Sequence, residues 1–120
     1  MNNIMLDLET LATSPRAVVL SVGAIAFDPH TDELGEPFYF EASDLKFQQE
    51  KGREIDANTV TWWMNQGAAA KQVFAERPAN HPDRAPTHNI LDHFTNYDMK
   101  YGDRMALIWG NGSDFDNIIL

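Results

Sequence analysis

The sequence predicts an α/β fold: a mixed sheet in which a three-strand antiparallel meander is joined by a later parallel strand, with helices packed on the sheet. First, three short apolar runs, at residues 4–8, 17–27 and 37–42, follow one another with only turn-forming residues between them. Second, residues 56–100 carry apolar side chains at helical spacing. Third, another short apolar run, at 105–109, follows those helices. Closely spaced strands without intervening helices pair antiparallel, whereas a parallel partner needs a longer crossover.

The individual elements follow from local patterns. The second strand is apolar on both faces, which is typical of a central strand covered on both sides. Gly23 in its middle predicts a bulge or a close backbone approach. Residues 43–54 are polar and receive no assignment, and the next helix is capped by Asp56 or Asn58. The predicted helices cover 56–67, 68–74 and 87–100 and begin again near 115, with a loop at 77–86.

Composition limits the class of protein. The chain of 120 residues is long enough for one domain, with 43% hydrophobic and 22% charged residues, as in ordinary globular proteins. It contains no cysteine, which excludes a disulfide framework and a thiolate metal site. No apolar run approaches the roughly 18 residues of a membrane helix and no signal segment opens the chain, so we expect a cytoplasmic protein with no membrane partner. The net charge of −9 argues against binding nucleic acid through a broad basic surface, but not through metal ions held by acidic residues.

Two acidic residues interrupt the first apolar strand. Asp7 and Glu9 are two positions apart, so both side chains project from the same face of that strand. Two buried like charges repel and lose hydration, which costs several kcal/mol unless a cation compensates. A site with only oxygen ligands favours a hard ion, Mg²⁺ or Mn²⁺. The alternative is an acidic pair at a strand end that faces solvent, and the pair alone does not decide between them.

The predicted order of elements is similar to the ribonuclease H-like layout, in which the first strand of the meander lies centrally beside the later parallel strand. Ends of neighbouring central strands converge in such a sheet. The start of the last helix, with Asp114 and Asp116, would then lie next to Asp7 and Glu9. A third carboxylate in that place completes most of a two-metal site.

Four segments resemble one known family. Residues 7–10, DLET, resemble the first motif of the DEDD superfamily of 3′–5′ exonucleases, and residues 111–116, NGSDFD, resemble its second motif. The chain is most similar to the RNase T-like exoribonucleases of phages and bacteria. That likeness includes the VGAIAFD strand, the TVTWWMNQ helix at 59–66 and the WGNGSDFDN segment at 109–117. It extends over nearly the whole chain.

The resemblance implies a 3′–5′ exonuclease that hydrolyses terminal phosphodiester bonds of single-stranded RNA or DNA by two-metal-ion catalysis. The implied catalytic residues, and ligands of the two Mg²⁺ or Mn²⁺ ions, are Asp7, Glu9 and Asp116. The implied substrate-binding residues are Thr10, Leu11, Trp62, Trp63 and Asn111.

The two adjacent tryptophans cannot both be buried in the same core. Consecutive residues of a helix point about 100° apart, so Trp62 and Trp63 face different surroundings. We expect one of them to pack against the protein and the other to be available to stack on a base.

The sequence also departs from the family pattern. The third motif, a His and an Asp on a later helix, has no counterpart, because His30, His81, His88 and His93 all precede the second motif. We therefore expect 1–120 to be a single incomplete exonuclease domain, inactive or weak, which self-associates as a homodimer through residues 105–109 and 115–120. Two alternatives are a catalytically dead nucleic-acid-binding or regulatory module of the same fold, and a metal-binding structural domain without a nucleic-acid partner.

Overall fold

The computed structural model of the protein describes residues 3–74, 81–101 and 107–110. These ranges hold five strands, three α-helices and one 3₁₀ helix. In chain order they are β1 (Asn3–Thr10), β2 (Val19–Phe27), β3 (Phe38–Ala42), α1 (Leu45–Glu50), α2 (Ala57–Met64), the 3₁₀ helix (Ala70–Phe74), β4 (Arg84–Ala85), α3 (Thr87–Tyr101) and β5 (Leu107–Gly110).

The strands form one mixed sheet in the order β4-β3-β2-β1-β5. Both β1 and β3 pair antiparallel with β2, which confirms the predicted meander. Strand β5 pairs in parallel with β1, with Asn3 opposite Leu107 and Leu6 opposite Gly110. The first strand therefore lies inside the sheet between β2 and the late strand, and the predicted α/β class is confirmed.

Several elements differ from the sequence-based expectation. The unassigned segment 43–54 contains α1, and the predicted loop at 77–86 contains β4, which pairs in parallel with β3. A strand of two residues carries no periodicity that a sequence could reveal. Helix α2 ends at Met64, before Gly67. Of the two predicted caps, Asp56 and Asn58, the structure has Asp56, whose carboxylate accepts a hydrogen bond from the Thr59 backbone N–H. The stretch after it is a 3₁₀ helix.

One face of β1 forms the main core. Ile4, Leu6 and Leu8 are buried, and they belong to the same cluster as Ile90 and Phe94 of α3. Each such side chain stabilises the fold by about 1.5–3 kcal/mol through burial of apolar surface. Helix α3, which packs on β2 and β3, therefore lies on the side of the sheet to which the apolar residues of β1 point, and the alternate residues, the two acids among them, project from the other face.

A buried glutamine joins α1 to the sheet. Gln48 is 3% exposed, and its side-chain amide bonds both backbone groups of Val19 at the start of β2. Its Oε1 accepts from the Val19 N–H at 2.8 Å, and its Nε2 donates to the Val19 carbonyl at 2.9 Å. The amide thus takes the place of a neighbouring strand, which explains how a helix of six residues without strong periodicity keeps its position.

Helix α2 packs on a second, smaller cluster at the end of β1. Its Trp63 is buried with Leu11, Val18 and Leu20. This cluster lies next to the residues that follow the acidic pair, so α2 and the end of β1 form one packed unit.

Within the described ranges, no helix combines the length and the apolar composition needed to cross a membrane.

Strand β5 is the last strand on its side of the described sheet. The self-association expected through residues 105–109 is untested and stays a prediction, and residues 115–120 lie outside the described residues.

Replacing Gln48 with alanine should destabilise the fold by roughly 2–4 kcal/mol, because two buried backbone groups of Val19 lose their partners. Urea unfolding followed by circular dichroism measures the change. Lys46→Ala is the matched control, since the Lys46 side chain lies on the same helix and is 89% exposed. Equal stability of the two variants would contradict the role assigned to the glutamine.

Candidate active site

A cleft of about 720 Å³ lies between the end of β1 and α2. That volume is within the range of about 300–1,000 Å³ that is typical of small-molecule sites in proteins. The residues lining it are Leu8, Glu9, Thr10, Ala12, Thr13, Asp56, Asn58, Thr59, Trp62 and Trp63. Four residues predicted from the sequence therefore meet in one place: Glu9, Thr10, Trp62 and Trp63.

The two acids of β1 stand on the sheet face away from α3. Asp7 is opposite Gly23 of β2, and Glu9 is opposite Ser21. Asp7 is exposed and Glu9 half-buried, so of the two arrangements that the sequence left open, the structure has the one in which the acidic pair faces solvent. The reason is that the apolar cluster with α3 occupies the other face of β1. Water therefore screens much of the repulsion between the two charges.

The chemistry of this face suits a hard cation. Two carboxylates project side by side, and carboxylate oxygens are the ligands that Mg²⁺ and Mn²⁺ prefer. Among the residues that the structure describes, no three His, Cys, Asp or Glu side chains are grouped closely enough to hold a metal ion. The third predicted acid, Asp116, lies outside the described residues, as does Asn111. The described part of this face therefore supplies two carboxylates that are chemically suited to bind a metal ion.

Gly23 does not mark a bulge. The register shift between β1 and β2 falls between Glu9 and Thr10. A Cβ atom added at Gly23 would lie 3.8 Å from the Asp7 carbonyl oxygen, an ordinary contact distance, so no described part of the chain approaches Gly23 closely enough to require glycine. The predicted bulge at Gly23 is therefore wrong, and the predicted close approach is not found among the described residues.

Hydrogen bonds hold the chain where β1 ends at the cleft. The Thr10 hydroxyl donates to the Ala12 carbonyl at 2.7 Å, and the Trp63 Nε1–H donates to the Thr10 carbonyl at 2.9 Å. The next residue, Leu11, donates to the Val18 carbonyl and accepts from the Asp56 N–H. The backbone after Glu9 is therefore bonded both to β2 and to α2.

The two tryptophans have different surroundings, as expected. Trp63 is 5% exposed, whereas Trp62 is 56% exposed and forms part of the cleft wall. Their ring centroids are 5.1 Å apart and the rings are nearly perpendicular, at 83°. The predicted division into one packed and one available indole is confirmed, and the contact of Trp62 with a base stays a prediction.

Leu11 occupies a different place from the other predicted substrate-binding residues. Its side chain is buried against Trp63 and does not line the cleft. It lines a second groove of about 310 Å³, together with Val60, Met64, Lys71 and Phe74. The structure therefore gives Leu11 a packing role behind the cleft.

The site residues predicted from the sequence did not include four polar residues of the cleft, which are Thr13, Asp56, Asn58 and Thr59. Thr13 follows β1, and Asn58 and Thr59 lie in the first turn of α2. Two of them could have been predicted from helical spacing, because Asn58 and Thr59 precede Trp62 by four and three positions and so lie on the same face of the helix.

Comparison with known proteins decides the family. Residues 2–120 match the family described as the 3′-5′ exoribonuclease Rv2179c-like domain. The chain belongs to this family. Membership confirms the resemblance to DEDD-type 3′–5′ exonucleases that the motifs indicated. Exonucleases of this kind generally use divalent metal ions, in agreement with the acidic residues on β1.

Two further proteins are similar to this member of the family. An exodeoxyribonuclease of Enterobacteria phage T4 is 29% identical over 80 residues, which cover 62% of this chain and 35% of that protein. The crystal structure of cell-death related nuclease 4 (CRN-4) aligns with a TM-score of 0.45 at 13% identity, over 89% of this chain and 33% of that one. The chain thus spans about a third of the length of each.

Gly23→Ala should leave the fold intact or stabilise it by about 0.5–1 kcal/mol, because alanine loses less conformational freedom in a strand and its Cβ meets only an ordinary contact. The matched control is Gly52→Ala. Gly52 has φ of 96°, and a Cβ there would lie 3.2 Å from the Arg16 Nη2, so this variant should lose about 1 kcal/mol. Urea unfolding compares the two. A loss at Gly23 as large as that at Gly52 would show that the space beside Asp7 is needed by the fold itself.

Proposed function

We propose that this chain supplies the acidic face and the nucleotide-binding cleft of a 3′–5′ exonuclease that hydrolyses terminal phosphodiester bonds of single-stranded RNA or DNA. One observation carries the proposal. In a chain of the exoribonuclease family, a single cleft joins the half-buried Glu9 to the exposed indole of Trp62. A metal-binding acid and a stacking surface are what the removal of a terminal nucleotide requires.

The carboxylates are assigned to metal binding. Asp7 and Glu9 share one sheet face, and Asp116 is the third ligand by its place in the second motif. Mg²⁺ or Mn²⁺ bound there would lower the pKa of a water molecule and offset the charge that develops on the leaving 3′-oxygen. The carboxylates themselves hold the cations, and Glu9 does so at the edge of the nucleotide cleft.

The cleft residues are assigned to the terminal nucleotide. Trp62 offers an exposed indole on which a base stacks, and stacking contributes about 1–3 kcal/mol per base. Thr10 lines the cleft next to Glu9, and Asn111 belongs to the same set by its motif. The volume of about 720 Å³ is large enough for a terminal nucleotide, and the 3′–5′ direction is proposed from the description of the family.

A second candidate is a nucleic-acid-binding or regulatory module of the same fold that does not turn over its ligand. The observation in its favour is that all four histidines precede the second motif, so the 120 residues hold no counterpart of the general base of the third motif. Loss of a general base lowers the rate by about 10²–10⁴-fold, so we expect little turnover by this chain alone. We also propose that the protein forms a homodimer and is located in the cytoplasm, whichever of the two functions it has.

Binding of a labelled oligonucleotide tests the cleft directly. A 5′-labelled single-stranded RNA with a free 3′-hydroxyl is titrated with the protein in Mn²⁺, and its fluorescence anisotropy is recorded. Trp62→Ala should weaken binding by about 5- to 150-fold, which corresponds to the loss of one stacked base. Met64→Ala is the matched control, because Met64 is exposed on the same helix but does not line the cleft. Equal affinity of the two variants would contradict the assignment.

A degradation assay distinguishes the exonuclease from the binding module. The protein is incubated with the same RNA oligonucleotide, or with a DNA of the same sequence, and the product lengths are read on a gel. Shortening from the 3′ end that needs Mg²⁺ or Mn²⁺ and is lost in Asp7→Asn and Glu9→Gln would establish the exonuclease. Binding that depends on the metal and on Asp7, without any shortening, would favour the module. Binding indifferent to the metal and to both substitutions would contradict the proposed role of the acids.

A further inference from the structure

The pairing of β1 with β2 changes at the residue that follows Glu9. Partners run regularly from Asn3 opposite Phe27 to Glu9 opposite Ser21, and then Thr10 pairs with Val19. A bulge of this kind redirects neighbouring side chains and takes a backbone group out of the regular ladder. The orientation of the Glu9 side chain at the cleft therefore depends on the contacts that fix the backbone of Thr10.

A side chain of α2 forms a hydrogen bond with the backbone of Thr10. The Trp63 Nε1–H donates to the Thr10 carbonyl at 2.9 Å, across 53 residues of sequence. The indole is 5% exposed, packs with Leu11, and meets the ring of Phe74 edge-on at 5.4 Å. A ring packed on several sides has little freedom to move, so its N–H is a fixed donor.

A second bond fixes the other end of the same helix. The Asp56 N–H donates to the Leu11 carbonyl at 2.8 Å, and Asp56 caps α2 through Thr59. Helix α2 is therefore tied to two consecutive carbonyl groups after Glu9, once through its N-cap residue and once through its last turn. Trp62, next to Trp63, forms the wall of the cleft that faces the end of β1.

We infer that Trp63 is a positioning residue of the proposed site: by bonding the Thr10 carbonyl, its indole N–H sets the spacing between Glu9 and Trp62 across the cleft. Trp63 acts through Thr10 and through the placement of α2, while Trp62 supplies the stacking surface. The inference rests on the proposed function, since it concerns how the same cleft receives a nucleotide.

Two substitutions remove the donor with different effects on packing. Trp63→Phe keeps an aromatic ring but leaves part of the indole volume empty. Replacement of Trp63 by 3-benzothienylalanine, introduced at its codon, keeps the shape and exchanges the N–H for sulfur. Both should weaken binding of the labelled single-stranded RNA in Mn²⁺ by up to about 12-fold, the limit reached if the whole net free energy of the lost hydrogen bond is expressed in the placement of the cleft walls. The isostere decides the matter if Trp63→Phe does not fold.

The control is Phe74→Leu, which alters packing around the indole and leaves its N–H in place. Affinities are measured well below the unfolding transition of every variant, where a loss of stability alone does not change the affinity of the folded protein. The backbone amide resonances of residues 9–11 should shift in both Trp63 variants and stay near their original positions in Phe74→Leu.

The outcomes are distinct. Unchanged affinity in the isostere, or an equal loss in Phe74→Leu, would overturn the positioning role while the proposed function stands. Failure of the unaltered protein to bind the RNA would overturn the proposed function, and this inference with it. Weaker binding in both Trp63 variants alone, with the amide shifts at residues 9–11, would support it.

Discussion

The strict alternation of side chains along β1 is the constraint on which the rest of the structure depends. Ile4, Leu6 and Leu8 anchor the sheet to α3, and the period of two leaves Asp7 and Glu9 on the opposite face. A shift of one residue in register would bury both carboxylates and expose the core. The apolar cluster therefore determines where the acids stand, and packing and proposed chemistry depend on the same eight-residue strand.

Where that strand ends, the regular ladder gives way to side-chain and loop hydrogen bonds. After the change of register at Glu9, the Thr10 carbonyl accepts from a tryptophan of α2, and the Leu11 carbonyl accepts from the backbone N–H of Asp56, the N-cap residue of the same helix. Because buried backbone groups need partners, these bonds bring α2 close to the strand end. The cleft is the space between α2 and the end of β1, so its shape depends on which groups form hydrogen bonds with the backbone carbonyls there.

The charge of the protein is consistent with this arrangement. With a net charge of −9, the chain as a whole repels a polyanion. The exposed Asp7 and half-buried Glu9 suit cations that could link the protein to a phosphate, while Trp62 offers a contact that needs no charge. The proposed function therefore relies on cations and stacking, and not on a basic surface, to hold a nucleic acid.

Local patterns by themselves determined the meander, the parallel strand and the acidic pair, because each depends on periods of two or 3.6 residues or on a short motif. They limited the cap of α2 to Asp56 or Asn58, and the structure selected Asp56. Tertiary structure alone decided which tryptophan is buried and that both acids keep contact with solvent. It also placed α1, which depends on a glutamine bonded to a strand 29 residues away. Contacts between distant residues leave no periodic trace in a sequence, so only the folded chain shows them.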